Sequence, residues 1–233
     1  MHLVEATSQS VPVIATQSLG LAALAWAGFR LKKSELSKDR LGLTVALTLL
    51  VLAGQAVNIS MGASHSGHFL GTTLLTILLG PAIALLSMAA VLTVQAVAFA
   101  DGSIATLGAN FLAIGVVPVA ITAGLMRVFK SQGRSALGFA ASFASVVAGA
   151  LTLAVIMGTQ YQALFVNHIS IGLLEAAMTV GMLALFGAAK SNTSNNISLK
   201  PIAAAIIIFA CALPFSSELP DGLEVTLEET TES

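Results

Sequence analysis

The sequence predicts an all-α, polytopic transmembrane helical bundle. Of its 233 residues, 56% are hydrophobic and only 9% are charged, whereas a typical soluble domain has roughly 25% charged residues. Two long stretches, residues 41–100 and 135–174, contain no Asp, Glu, Lys or Arg. Because one bilayer crossing needs about 20 apolar residues, each stretch can supply more than one crossing. A water-soluble domain of this size would need far more polar surface.

The distribution of positive charge predicts the topology. All Lys and Arg residues fall within residues 30–40, 127–134 and 190–200, and the positive-inside rule makes these windows cytoplasmic. With the N-terminus outside, the chain then makes eight crossings, and both termini lie outside. We therefore expect a multi-pass protein of the cell (inner) membrane. The predicted helices are 11–31, 41–60, 68–80, 82–99, 104–126, 135–157, 167–188 and 200–216.

The helix at 68–80 is the weakest of these predictions. Thirteen residues are too few to span a core of about 30 Å. Either this helix is tilted, or part of the outer loop at 61–67 dips into the membrane. The Gly80-Pro81 pair predicts a turn at its end.

Composition and motifs exclude several classes of function. A net charge of −1 without a basic run argues against a nucleic-acid partner. The single cysteine excludes an internal disulfide and a cysteine metal cluster. The chain has no Gly-Lys dipeptide, hence no Walker A loop, and no His-Glu-x-x-His or Gly-x-Ser-Gly motif. We therefore expect a protein that is not an enzyme.

Polar residues at membrane depth gather near the predicted outer face. Such groups usually face a cavity and mark a pathway, although histidines in loops are also simply compatible with water. Glu175 lies two helical turns beyond His168 on the same face, and a structural carboxylate is favoured over a metal ligand there. The outer set comprises His2, Gln55, Asn58, His65, His68 and His168, with Glu175 further in.

The first two residues form a chelating sequence. In Met1-His2, the α-amine, the His2 backbone nitrogen and the His2 imidazole can bind one cation through fused five- and six-membered rings. The amide must lose its proton, which suits Ni(II) and Cu(II) and also admits Co(II), and one in-plane position stays open. No positive charge precedes Arg30, so a cleaved signal peptide is not expected and Met1 should be retained. Any chain that begins Met-His has this geometry, so the pattern alone is weak.

Several motifs together resemble the CbiM/NikM family, the substrate-binding components of energy-coupling-factor importers for nickel and cobalt. They keep the family's order and spacing over residues 1–188. The tail resembles the small PDGLE, or CbiN/NikN-like, component. The motifs are Met1-His2, Gln55-x-x-Asn58, Ser66-Gly67-His68-Phe69-Leu70-Gly71, Asp101-Gly102, Leu107-Gly108-Ala109-Asn110, His168-x-x-x-Gly172-x-x-Glu175, and Pro220-Asp221-Gly222-Leu223-Glu224.

The resemblance implies a domain organisation and a ligand set. Residues 1–190 would form the metal-binding membrane domain, 191–199 a polar linker, and 200–233 a PDGLE-like segment with one transmembrane helix and an acidic tail. The metal would be held by Met1, by the amide and imidazole of His2, and by His68. His65 stands where the family usually has Thr or Ser, and it is an extra possible ligand or a metal-collecting residue. No cofactor is expected to be permanently bound, since the Ni(II) or Co(II) ion is cargo.

The resemblance also implies partners. These are a transmembrane coupling (T) protein and two cytoplasmic ATPase subunits, in the lipid bilayer. The cytoplasmic windows, or the small-residue face of Ala23 and Ala27, are candidate contacts. A stand-alone secondary transporter with Glu175 as the proton-coupling carboxylate is the rival hypothesis, and a non-transporting membrane assembly or sensor protein is a third.

Overall fold

In a computed structural model, residues 3, 12–32, 37–61, 66–129, 133–158, 161–188 and 199–219 can be described. Helices dominate these ranges, and two short antiparallel strands, β1 (Ile59–Ser60) and β2 (Ser66–Gly67), accompany them. The prediction of an all-α membrane fold is confirmed. The helices are α1 (Val13–Lys32), α2 (Lys38–Gln55), α3 (Thr72–Leu79), α4 (Pro81–Val94), α5 (Leu107–Asn110), α6 (Val117–Val128), α7 (Arg134–Met157), α8 (Tyr161–Ala188) and α9 (Leu199–Ala212).

Four helical rods in the described ranges are long and apolar enough to cross a bilayer. They span Pro81–Phe99, Leu107–Val128, Arg134–Met157 and Leu164–Gly187. The first ends in a π-helical segment, Gln95–Phe99, and the second joins α5 to α6 through another, Phe111–Val116. At 1.5 Å per residue, α1 and α2 are about 30 Å and 27 Å long.

The predicted helix at 68–80 is wrong over its first four residues. Residues 68–71 are not helical, and α3 begins at Thr72. Gly71 has a left-handed φ of 75°, and a Cβ placed there would lie 2.5 Å from Val51 Cγ2. With eight residues, α3 is only about 12 Å long, so it cannot span the membrane alone. The count of eight crossings and the outward termini therefore stay predictions, whereas the turn at Gly80 is confirmed by its φ of 87°.

Two other helix boundaries differ from prediction in ways that affect the site. Helix α2 ends at Gln55, because the chain beyond it pairs as a hairpin in which Ile59 lies opposite Gly67. Helix α8 begins at Tyr161. His168 therefore lies two turns inside the helix, where it is fully buried, and does not open it as predicted.

Small residues let α1 lie close against its neighbours. A Cβ on Gly108 would come within 2.6 Å of the Gln17 backbone nitrogen, so α1 and α5 cross almost backbone to backbone. Ala27 is fully buried, and Ala23 packs against the same core. The small-residue face of α1 thus packs at least partly inside the bundle, and its contact with a partner stays a prediction.

The C-terminal helix packs on α2 and reaches the centre of the fold. The rings of Phe209 and Phe69 stack at a centroid distance of 6.3 Å and an angle of 13°. After a 3₁₀ turn at Leu213–Phe215 the chain approaches the β1–β2 hairpin. Most of the predicted linker, residues 191–198, and the tail from residue 220 lie outside the described residues.

Candidate metal site

The Ser66-Gly67-His68 segment enters the bundle instead of lying in an outer loop. Ser66 forms β2 and is fully buried, and His68 is only 6% exposed. A Cβ on Gly67 would lie 2.9 Å from Ile171 Cγ1, so the absence of a side chain lets the strand pass against α8. The imidazole of His68 is thereby placed in the protein interior.

Two buried side chains fix the backbone just after His68. The Glu175 carboxylate accepts the Leu70 N–H at 2.7 Å and the Gly71 N–H at 2.9 Å. The Gln55 amide donates to the Leu70 carbonyl at 2.7 Å. Both side chains are at most 3% exposed. Glu175 thus has a structural contact, as the sequence favoured, and its partners are backbone N–H groups.

Near the start of the chain, Leu3 is anchored in the core. Its side chain is fully buried, and its N–H donates to Asn110 Oδ1 at 2.8 Å. Its carbonyl accepts from Asn110 Nδ2 at 3.1 Å and from the Thr106 hydroxyl at 2.6 Å. The Asn110 side-chain amide therefore hydrogen-bonds both the N–H and the carbonyl of Leu3, as the backbone of a neighbouring strand would.

Leu3 and the segment that follows His68 contact adjacent turns of one helical segment, Leu107–Val128. The Thr72 hydroxyl donates to the Ile114 carbonyl at 2.6 Å, and Ile114 lies one turn after Asn110. The helical segment Leu107–Val128 therefore holds both Leu3 and the segment that follows His68. Asn110 belongs to a motif recognised in the sequence, but its role there was not predicted, and Thr106 was missed altogether.

His168 supports the fold from within α8. Its Nδ1 lies 2.8 Å from the Leu164 carbonyl oxygen one turn earlier. Because a carbonyl can only accept, Nδ1 carries the proton in this contact. The ring is fully buried, so His168 is not part of a solvent-facing outer cluster.

The start of the tail contacts the hairpin beside His68. The Asn58 N–H donates to the Ser216 hydroxyl at 2.8 Å, and the Ser217 N–H donates to the Asn58 carbonyl at 2.8 Å. The Ser66 hydroxyl donates to the Leu219 carbonyl at 2.7 Å. No local pattern signals these contacts, because they join residues more than 150 positions apart.

Of the predicted metal ligands, only His68 lies within the described residues. Met1, His2 and His65 lie outside the described residues. In the part of the chain that can be described, no three His, Cys, Asp or Glu side chains form a group that could hold a metal ion. The ligand set of Met1, His2 and His68 therefore remains a prediction, as does the accessory role of His65.

Comparison with known proteins gives a consistent picture. One relative, from Haloquadratum walsbyi, is described as a metal transport protein and is 35% identical over 182 residues, 74% of this chain and 84% of the relative. The cobalt transport protein CbiM of Clostridium tetani is 27% identical over 194 residues, 81% of this chain and 73% of the relative. The fused nickel transport protein NikMN of Rhodobacter capsulatus is 31% identical over 136 residues, 54% of this chain and 39% of the relative.

The fold also matches a solved structure and a family description. The crystal structure of a truncated transition metal transporter superposes with a TM-score of 0.72 at 21% identity, covering 81% of this chain and 99% of that one. Residues 2–193 match the family described as CbiM, cobalt uptake substrate-specific transmembrane region. This chain therefore belongs to the CbiM family and is a membrane component of cobalt or nickel transport.

Proposed function

We propose that this protein is the substrate-binding subunit of an ATP-driven energy-coupling-factor importer and captures Ni(II) or Co(II) at the outer face of the cell membrane. Four nitrogens hold the ion: the Met1 amine, the His2 amide, the His2 imidazole and the His68 imidazole. Such a square-planar nitrogen field suits Ni(II) and admits Co(II).

The main support for this proposal comes from the hydrogen bonds of Asn110 and Thr106 with the backbone of Leu3. Three hydrogen bonds of 2.6 to 3.1 Å hold the backbone of this residue inside the bundle. The proposed ligands Met1 and His2 directly precede this anchored residue in the sequence. The helical segment Leu107–Val128, which contains Asn110, also binds the segment after His68, because the Ile114 carbonyl accepts the Thr72 hydroxyl.

Fixation of the His68 segment gives the site its preorganisation. Glu175 and Gln55 satisfy both N–H groups and the carbonyl of residues 70 and 71. The backbone next to His68 therefore cannot shift without breaking buried hydrogen bonds, each worth about 1 kcal/mol or more. A ligand that is already ordered loses little entropy when the ion binds.

Energy would come from other chains. We infer a transmembrane coupling protein and two cytoplasmic ATPase subunits as partners, since the sequence has no Walker A loop. Residues 200–233 would act as a fused PDGLE-like component. The contacts of Ser216, Ser217 and Leu219 with the hairpin support a role for that component beside the site.

The deciding experiment changes the first residue. One residue added before Met1 converts the amine into an amide and moves His2 away from the chain end, so high-affinity nickel or cobalt binding and uptake should be lost while membrane insertion persists. The same residue added after Ser233 is the matched control and should be nearly harmless. Mass spectrometry must confirm that the unmodified protein begins at Met1.

Histidine variants complete the test. Changing His68→Ala should be as damaging as the N-terminal extension, because it removes the fourth in-plane nitrogen. Changing His65→Ala should be milder. Normal radioactive nickel and cobalt uptake by the extended protein with its partner subunits would refute the chelate.

The rival hypothesis of proton-coupled transport by this chain alone assigns proton exchange to Glu175. Both Glu175 oxygens accept backbone N–H groups, and the side chain is 1% exposed, which favours a structural carboxylate. Proton-driven uptake by the purified chain in vesicles without ATPase subunits would support the rival.

A further inference from the structure

A cavity lies at the end of the bundle opposite the candidate metal site. It has a volume of about 680 Å³ and is bordered by the start of α2, the end of α3, the start of α7, the end of α8 and the start of α9. Gln55, at the other end of α2, holds the His68 segment. Gln55 lies 17 positions after Lys38, so the two sites are about 26 Å apart along α2.

The cavity is positively charged at its mouth. Lys38, Arg40 and Arg134 border it, and Asp39 is the one carboxylate among its lining residues in the described ranges. Arg40 uses one donor on the Leu79 carbonyl at 3.1 Å, which leaves other guanidinium N–H groups for a ligand. The described first turns of α2 and α7 also open here, and helix N-termini favour negative charge.

An apolar groove continues from this mouth along the bundle surface. It has a volume of about 560 Å³ and runs between α2 and α9. Lys38, Gly42 and Leu199 border both the cavity and the groove. Along α2 the groove reaches Leu49, about 16 Å from Lys38, and this length is close to half of the 30 Å hydrocarbon core.

We propose that this cavity and groove bind one anionic phospholipid, with its phosphate at Lys38 and Arg134 and an acyl chain between α2 and α9. A cationic mouth that leads into an apolar channel one leaflet long is complementary to a lipid whose negative head adjoins its hydrocarbon chains. The basic windows are predicted to be cytoplasmic, and the cytoplasmic leaflet is the one rich in anionic lipid. A soluble anion would gain nothing from the groove.

Native mass spectrometry of the purified full-length protein in mild detergent tests the proposal. Titration with dioleoyl phosphatidylglycerol should give one tightly bound molecule, and dioleoyl phosphatidylcholine should bind much more weakly. The double variant Lys38→Gln/Arg134→Gln should lower phosphatidylglycerol affinity by about 30-fold, since one cation near a membrane surface is worth about five-fold. Arg127→Gln is the matched control, because it removes a described basic residue that does not border the cavity.

A second variant separates the groove from the charged mouth. Ala203→Phe adds bulk to the α9 wall of the groove without changing charge, and it should also weaken phosphatidylglycerol binding. Retained nickel or cobalt binding by each variant shows that the bundle is folded.

Four outcomes would overturn the proposal. Affinity unchanged in the double variant, or lowered equally by Arg127→Gln, would show that the mouth is not the binding site. Competition by inorganic phosphate as strong as by phosphatidylglycerol would indicate a site for free anions. Loss of coupling-protein co-purification with unchanged lipid binding would indicate a protein docking surface. Affinity unchanged by Ala203→Phe would show that no acyl chain lies in the groove.

Discussion

Changing Asn110→Ala should weaken metal binding without unfolding the protein. The substitution removes the acceptor of the Leu3 N–H and one of two donors to the Leu3 carbonyl. A buried N–H left without a partner costs about 1–3 kcal/mol, and the second hydrogen bond is worth about 0.5–1.5 kcal/mol. The N-terminal segment thus loses about 2–4 kcal/mol of anchoring.

If the first two residues supply three of four ligands, that loss appears in the affinity for the ion, because their ordering must then be driven by the metal itself. An anchoring loss of 2–4 kcal/mol corresponds to an affinity about 30- to 1,000-fold weaker. The metal-free protein should still fold, with a free energy of unfolding lowered by no more than about 2–4 kcal/mol.

A second variant makes the magnitude testable. Thr106→Val removes the 2.6 Å bond to the Leu3 carbonyl, but Asn110 Nδ2 still donates to that oxygen. The loss should therefore be about 0.5–1.5 kcal/mol, or about 2- to 13-fold in affinity. Thr93→Val is the control, because the Thr93 hydroxyl donates to Ala89 in its own helix.

Nickel affinity is best measured by competition with a coloured chelator, on protein with an unmodified N-terminus. If the Asn110→Ala variant bound nickel as tightly as the wild type, the hydrogen bonds between Asn110 and Leu3 would not order the proposed ligands Met1 and His2. Equal losses in Asn110→Ala and Thr106→Val would refute the hydrogen-bond count on which the magnitudes rest.

Three further predictions concern the His68 segment, the crossing of α1 and α5, and the proposed chelate. Glu175→Gln turns an amide N–H₂ toward a backbone N–H and should lower the free energy of unfolding by about 2–4 kcal/mol, measurable by thermal denaturation in detergent; unchanged stability would mean that the carboxylate does not hold the His68 segment. Gly108→Ala forces a Cβ to within 2.6 Å of the Gln17 backbone and should destabilise by at least about 1–3 kcal/mol, whereas Gly124→Ala, which meets nothing within 4 Å, should change the melting temperature little. Metal affinity should fall by about 1,000-fold or more from pH 7.5 to 5.5, because an α-amine and an imidazole, with ordinary pKa values of about 7.7–8.0 and 6.5, must both lose protons to bind; a flat titration profile would indicate carboxylate ligands.

The sequence by itself determined the membrane class and most of the helices. Hydropathy is a local property, since each crossing must satisfy its own backbone hydrogen bonds within one helix. The charge-free stretches and basic windows therefore located α1, α4, α7 and the rod from Leu107 to Val128 to within a few residues. The motif spacing also predicted the CbiM family, which the comparison confirms.

Only the tertiary structure showed which polar residues contact one another. Glu175 meets Leu70 across 105 positions, Asn110 meets Leu3 across 107, and Ser66 meets Leu219 across 153. No periodicity encodes such pairs, because they depend on how helices pack and not on the pattern within any one of them. The same reason explains the error at residues 68–71. Their composition suits a helix, but Gly71 has a left-handed φ of 75° that interrupts a right-handed helix. The N–H groups of Leu70 and Gly71 are bound by the Glu175 carboxylate from α8.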